Sequence, residues 1–154
     1  MSTVITITNQ KGGVGKTTTA AALLSALSSR GAHVLGVDLD PQGSLGFNLG
    51  LDIENCKTIY DVFRGEAEPR EAIAHTETCD LLPSNILLSA AELEFNKAGR
   101  EFMLKTALSK VRDAYDYVII DTPPALNVLT VNAYVATDSL IIPMAPEVLS
   151  LLGV

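Results

Sequence analysis

Residues 9–19 read NQKGGVGKTTT: three glycines, two lysines and three threonines in eleven positions, directly after a short β-branched run. A loop of this kind between a strand and a helix gathers the helix's unpaired N–H groups around an anion-sized hollow. Glycines let the backbone curl and leave no Cβ between the amides and a phosphate oxygen. The spacing Gly-x4-Gly-Lys-Ser/Thr of a phosphate-binding loop ends here on Gly15, Lys16 and Thr17. Its first glycine position holds Gln10, with Gly12 and Gly13 supplying flexibility nearby. On this reading Lys16 lies against the β- and γ-phosphates of a nucleotide, and the Thr17 hydroxyl coordinates Mg2+.

Three carboxylates sit at the ends of apolar runs. Asp38 and Asp40 lie in VDLDPQG, and Asp121 closes YDYVIIDTPP. A carboxylate at the C-terminal edge of a parallel sheet stands where ligands bind in open α/β folds. Asp-Pro also opens turns, so Asp40 taken alone reads either way, and a strand-end Asp such as Asp121 can equally cap a helix.

KGGVGKT resembles the deviant phosphate-binding loop of the ParA/MinD family of partition and positioning ATPases, whose additional lysine falls here on Lys11. The likeness continues through DLLPSNILLSAAELE, REFMLKTALSKV, PPALNVLTVNAYVATDSLIIP and PEVLSLLG, essentially the whole chain; Leu152 stands where that family frequently has glutamate. The resemblance implies an ATP- and Mg2+-dependent ATPase that forms a homodimer on binding ATP. Lys16 would serve its own phosphates and Lys11 those of the twin subunit. Gly12, Gly13, Val14, Gly15, Thr17 and Thr18 would complete the cradle. VDLDPQG matches a first switch in which Asp40 orients or activates the attacking water. Asp121 would hold Mg2+ with Thr17 and Asp40, the aspartates through water. Pro123 and Pro124 would begin a second switch that senses the γ-phosphate. A ParB-type activator is the implied partner.

These groups need a scaffold, and the chain supplies one. Residues 3–8 (TVITIT), 34–37, 79–82, 117–120 and 139–142 read as five strands. Residues 17–30 form a helix with Arg30 at its negative pole and Gly31 to stop it. A loop dotted with glycines runs from Asp40 to Gly50, and TIYDVFRG and PREAIAH read as short helices. Residues 86–97, 101–114 and 126–135 carry helical periodicity, the first with an apolar stripe expected to face the core, and PEVLSLLGV looks like the start of another helix. Pro123-Pro124 forbids continuation of the fourth strand. Apolar strands alternating with helices predict an α/β P-loop NTPase, a mostly parallel sheet covered on both faces.

At 154 residues the chain is one domain, read as 1–154. Its net charge of −7 and pI near 4.7 give no support to DNA binding by this segment. No apolar run is long enough to span a membrane. Two cysteines, Cys56 and Cys79, in no metal-type spacing suit reduced thiols in the cytoplasm. His33 and His75 read as surface residues without convergent partners. NKAG at 96–99 has Gly99 where a guanine-reading motif needs aspartate, which favours ATP over GTP. The family's domain runs further than Val154, so the expectation is an N-terminal part of such a domain. The alternative is a non-hydrolysing nucleotide scaffold or assembly module.

Overall fold

The computed structural model describes residues 2–9 and 15–143. The expectations for Lys11, Gly12, Gly13, Val14 and the PEVLSLLGV run lie outside the described residues.

Strands β1 (Thr3–Ile7), β2 (Val34–Asp38), β3 (Ala74–His75), β4 (Asp80–Leu82), β5 (Tyr117–Asp121) and β6 (Ser139–Ile141) form one sheet in the order β3-β4-β2-β5-β1-β6. Every neighbouring pair is parallel except β3–β4, which is antiparallel. Alternation along β5 divides the core between the two faces, because successive side chains point opposite ways. Val118 and Ile120 join Val4, Leu35 and Val37 on one face, under Leu104, Leu108, Leu129 and Ala133. Ile119 joins Ile7, Val34 and Leu81 on the other, under Ala20, Leu24 and Leu45.

The helix on this second face is α1 (Lys16–Ser29), whose buried residues Lys16, Ala20 and Leu24 fall four apart on one stripe. It ends as expected, with Arg30 as its C-cap and Gly31 at φ +87°. On the first face lie α3 (Ile59–Phe63), α6 (Met103–Ser109) and α7 (Val128–Ala136). Buried Asn132 ties α7 to its neighbour: its Oδ1 accepts from Leu104 N at 3.0 Å, and its Nδ2 donates to Arg100 O at 2.8 Å.

Several elements differ from the sequence expectation. The loop between Asp40 and Gly50 contains a short helix, α2 (Ser44–Asn48). PREAIAH forms helix α4 only over Pro69–Ala72; Ala74 and His75 turn into β3, a sixth strand too short to leave a periodicity. Residues 86–97 are a 3-10 turn, Ile86–Ala90, followed by a single helical turn, α5 (Ala91–Glu94). Only Leu88 and Ala91 of that stripe are fully buried, while Ile86, Leu87 and Leu93 are exposed. Residues 101–114 likewise break into α6 between 3-10 turns at Arg100–Phe102 and Arg112–Ala114. His75 is exposed as expected, yet it does have a partner, the Asp80 carboxylate across the β3–β4 pair.

At the far edge, β6 pairs only with β1 among the described residues, and Leu140, Ile141 and Ile142 are exposed. No helix among the described residues is long and apolar enough to cross a membrane.

The approach of α1 to the sheet depends on Gly36 in the middle of β2. A Cβ there would stand 2.9 Å from Leu24 Cδ1 and 3.1 Å from Leu81 Cδ1, both on fully buried side chains. Gly36→Val is expected to cost about 1–3 kcal/mol through overpacking, read as a fall in the denaturant midpoint; an unchanged midpoint would contradict this packing.

Candidate functional site

Parallel register brings three strand ends side by side. Ile7 of β1 pairs with Asp121 of β5, and Asp121 pairs in turn with Asp38 of β2. Beyond Ile7 the chain reaches Gly15, the N-cap of α1, in the left-handed conformation at φ +83°. A Cβ on Gly15 would meet open space, so glycine is favoured there by the backbone conformation rather than by crowding. The first turn of α1 therefore begins directly over the carboxylates.

Thr17 Oγ1 donates to Asp121 Oδ2 at 2.8 Å. Lys16 is only 7% exposed, and its charge draws the Asp121 pKa downward. Asp38 and Asp121 are both completely buried, and each keeps one oxygen, Asp38 Oδ2 and Asp121 Oδ1, with no hydrogen-bond donor. The other Asp38 oxygen, Oδ1, accepts from Asp40 N at 3.0 Å. The Asp40 carboxylate is partly exposed and accepts from Gln42 N at 3.0 Å, while the Asp40 carbonyl accepts from Ser84 Oγ at 2.6 Å. Thr18 points outward and is exposed.

The structure thus gathers Lys16, Thr17, Asp40 and Asp121, four of the residues singled out in the sequence. It buries Asp38, the first acid of VDLD, beside them, and adds Ser84, which lies within DLLPSNILLSAAELE but drew no role from the sequence. The segment after Asp121 is anchored by Thr122 Oγ1, which donates to Ile7 O at 2.9 Å. Tyr134 on α7 shares a hydrogen bond with Thr8 at 2.9 Å, joining that helix to the strand end before the glycine-rich stretch.

Burial pushes Asp121 up to about 6; the Thr17 hydrogen bond opposes this, Asp40 reinforces it, and Lys16 opposes it. Asp38 is raised well above its ordinary value, first by burial and then by the charge of Asp121. Buried carboxylate oxygens without donors are costly, and a bound cation is one way to satisfy them. Among the described residues no group of three acidic, imidazole or thiol side chains converges. One or two carboxylates and a hydroxyl suit a hard divalent ion that takes its remaining ligands from water and phosphate.

Strand order, the strand-end acids and the left-handed glycine ahead of α1 make this a P-loop NTPase fold. Comparison with known proteins narrows the class. Residues 2–154 match a family model described as an AAA domain. The chain is 45% identical to the sporulation initiation inhibitor protein Soj of Bacillus subtilis (strain 168), over 99% of this chain and 62% of Soj. It is also 45% identical to the chromosome partitioning protein ParA of Caulobacter vibrioides (strain NA1000 / CB15N), over 97% of this chain and 58% of that protein. A crystal structure of cobyrinic acid a,c-diamide synthase from Mycobacterium smegmatis, with bound ATP analogue and magnesium, superposes with a TM-score of 0.93 at 45% identity, covering 97% of this chain and 63% of that one. The chain belongs to the ParA/MinD family of P-loop proteins. It spans about three fifths of the length of the curated relatives named here.

The raised Asp121 pKa has a measurable consequence. An unfolded chain loses this proton near 3.8 and the native one near 6, so native Asp121 binds more protons across that window. Stability contributed by the group therefore falls as pH rises from 3.8 to about 6 and stays low above it. In a chelating buffer, Asp121→Asn should unfold roughly 3–8 °C above the parent at about pH 7.5, with the gap closing near pH 4.5. A variant less stable at both pH values would contradict the burial cost.

Proposed function

We propose that this chain is the phosphate-binding part of a ParA-type ATPase, a nucleotide-controlled dimerisation switch used in chromosome or plasmid partition or in positioning another cargo. The observation that carries the reading is the Thr17 hydroxyl on Asp121 at 2.8 Å, beside donorless buried oxygens of Asp121 and Asp38. Thr17, with Asp40 and Asp121 through water, would hold Mg2+. When bound, that ion neutralises charge on the phosphates. Its presence with an ATP analogue in the Mycobacterium smegmatis relative supports ATP and Mg2+ as the ligands here.

Lys16, at the start of α1, offers its ammonium group to the β- and γ-phosphates, where the amide N–H groups of the helix start also favour negative charge. Asp40 is held by its own backbone: its N–H on Asp38 and its carbonyl under Ser84 keep the residue facing the strand ends. Its carboxylate orients water for in-line attack on the γ-phosphorus. A new P–O bond to water forms while the bond to the bridging oxygen breaks. The electron pair leaves on ADP and the water's proton passes to Asp40 or to solvent. Positioning and charge stabilisation are the main demands of phosphoryl transfer, and this site is built for both. Unpaired Cys56 and Cys79 accord with a reducing cytoplasm.

ATP turnover and binding in the wild-type protein, Lys16→Ala and Asp40→Ala test this. Lys16→Ala should weaken ATP binding by roughly tenfold or more, the loss of one charge-assisted phosphate contact. Asp40→Ala should bind ATP within about threefold of wild type but turn it over on the order of 100-fold more slowly. Equal rates in all three would remove the catalytic assignment, and tight binding without turnover in the wild type would favour a nucleotide-holding assembly module.

Lys11 is assigned to the partner's ATP. Lys11→Ala should leave monomeric ATP binding intact and abolish ATP-dependent dimerisation in light scattering. Undiminished dimerisation would overturn that role.

A further inference from the structure

We propose that Glu92 is a positioning residue for the reaction assigned above, capping α7 from a separate element and so fixing segment 122–127 over the strand ends. The proposal rests on that functional reading of the site. Glu92 belongs to α5, within the stretch DLLPSNILLSAAELE, and carries no role in the site described above. Its Oε1 accepts from Val128 N, the first amide of α7, at 2.6 Å. Asn127 Oδ1 accepts from the next two amides, Leu129 N at 3.0 Å and Thr130 N at 3.3 Å. The opening amides of a helix have no partner within it, and a carboxylate placed there also gains from the helix dipole. Asn127 provides the cap from within its own segment. Glu92 provides it from 36 residues away.

What this cap controls follows from how short and stiff the segment is. At one end Thr122 is fastened to Ile7 O, next to Asp121. At the other, Thr130 Oγ1 donates to Ala125 O at 2.5 Å, binding the segment to the first turn of α7. Pro123 and Pro124 fix φ between the two fastenings. With both ends held and the middle stiff, the place of the first turn of α7 sets the place of the segment. Glu92 is itself held in register with α7. Its Oε2 lies 3.9 Å from Arg100 Nη1, and the Arg100 carbonyl accepts from Asn132 Nδ2 on α7 at 2.8 Å. These contacts join α5, the 3-10 turn Arg100–Phe102 and the first turns of α7.

Glu92→Ala and Glu92→Gln in the full-length protein separate this role from general packing, because glutamine keeps an acceptor for Val128 N and alanine does not. Hydrogen exchange at the Val128 amide should accelerate in Glu92→Ala and stay near wild type in Glu92→Gln. ATPase kcat should fall about 3- to 10-fold in Glu92→Ala, with KM for ATP within about twofold, while Glu92→Gln keeps most of the wild-type rate. A glutamine variant as slow as the alanine variant would overturn the acceptor role, as would loss of kcat and KM together with a lowered melting point in both. Absence of turnover in the wild-type protein would sink the reading of the site. Val128 exchange unaltered by Glu92→Ala would sink the role of Glu92 whatever the wild-type rate.

Discussion

Two carboxylates cut off from water at adjacent strand ends are the constraint around which this fold is arranged. Asp38 and Asp121 are register partners, so their separation is set by hydrogen-bonded β pairing rather than by side-chain flexibility. Each would repel the other if both were charged, and each lacks a donor for one oxygen. Left alone, such a pair favours keeping its protons or attracting a cation. The Thr17 hydroxyl and Lys16 charge act on Asp121, and the backbone at Asp40 and Leu45 on Asp38, yet burial still leaves both groups raised. The site is therefore held by the stability of the sheet beneath it, with five-residue strands packed on both faces.

The rest of the architecture can be understood as support for that edge. α1 reaches the strand ends because Gly36 lets it lie close to β2. α7 on the opposite face returns to the same edge through the Tyr134–Thr8 contact, and Thr122 closes the gap between β5 and β1. Helices from both faces of the sheet thus meet the strand ends through side chains, not only through the backbone. That arrangement lets a change at the edge be felt in α7, whose first turn is also held by α5.

Much of this was legible in the residues. β-branched and aliphatic runs marked β1, β2 and β5, the last two closing on Asp, and Gly-Lys-Thr marked the start of α1, because those features are local. What escaped was non-local. β3 is two residues long and exists only because β4 lies beside it. The 86–97 stretch has the composition of a helix, yet Asn85 caps a 3-10 turn and the chain leaves the core after one helical turn, so tertiary contacts overrode periodicity. The partners of Asp40 and Val128, Ser84 and Glu92, stand 44 and 36 residues away, and no spacing rule links such pairs.

The two margins of the sheet are unlike. One is sealed by β3, antiparallel, two residues long and carrying exposed His75 in contact with Asp80, a poor template for a further strand. The other, β6, is parallel, with exposed Leu140, Ile141 and Ile142 at and just beyond its end. Among the described residues, the β6 margin is the better template for a strand that lengthens this sheet. That edge lies one strand away from β1 and two from Asp121, so growth of the sheet there would be buttressed against the strand ends that carry the buried carboxylates rather than remote from them.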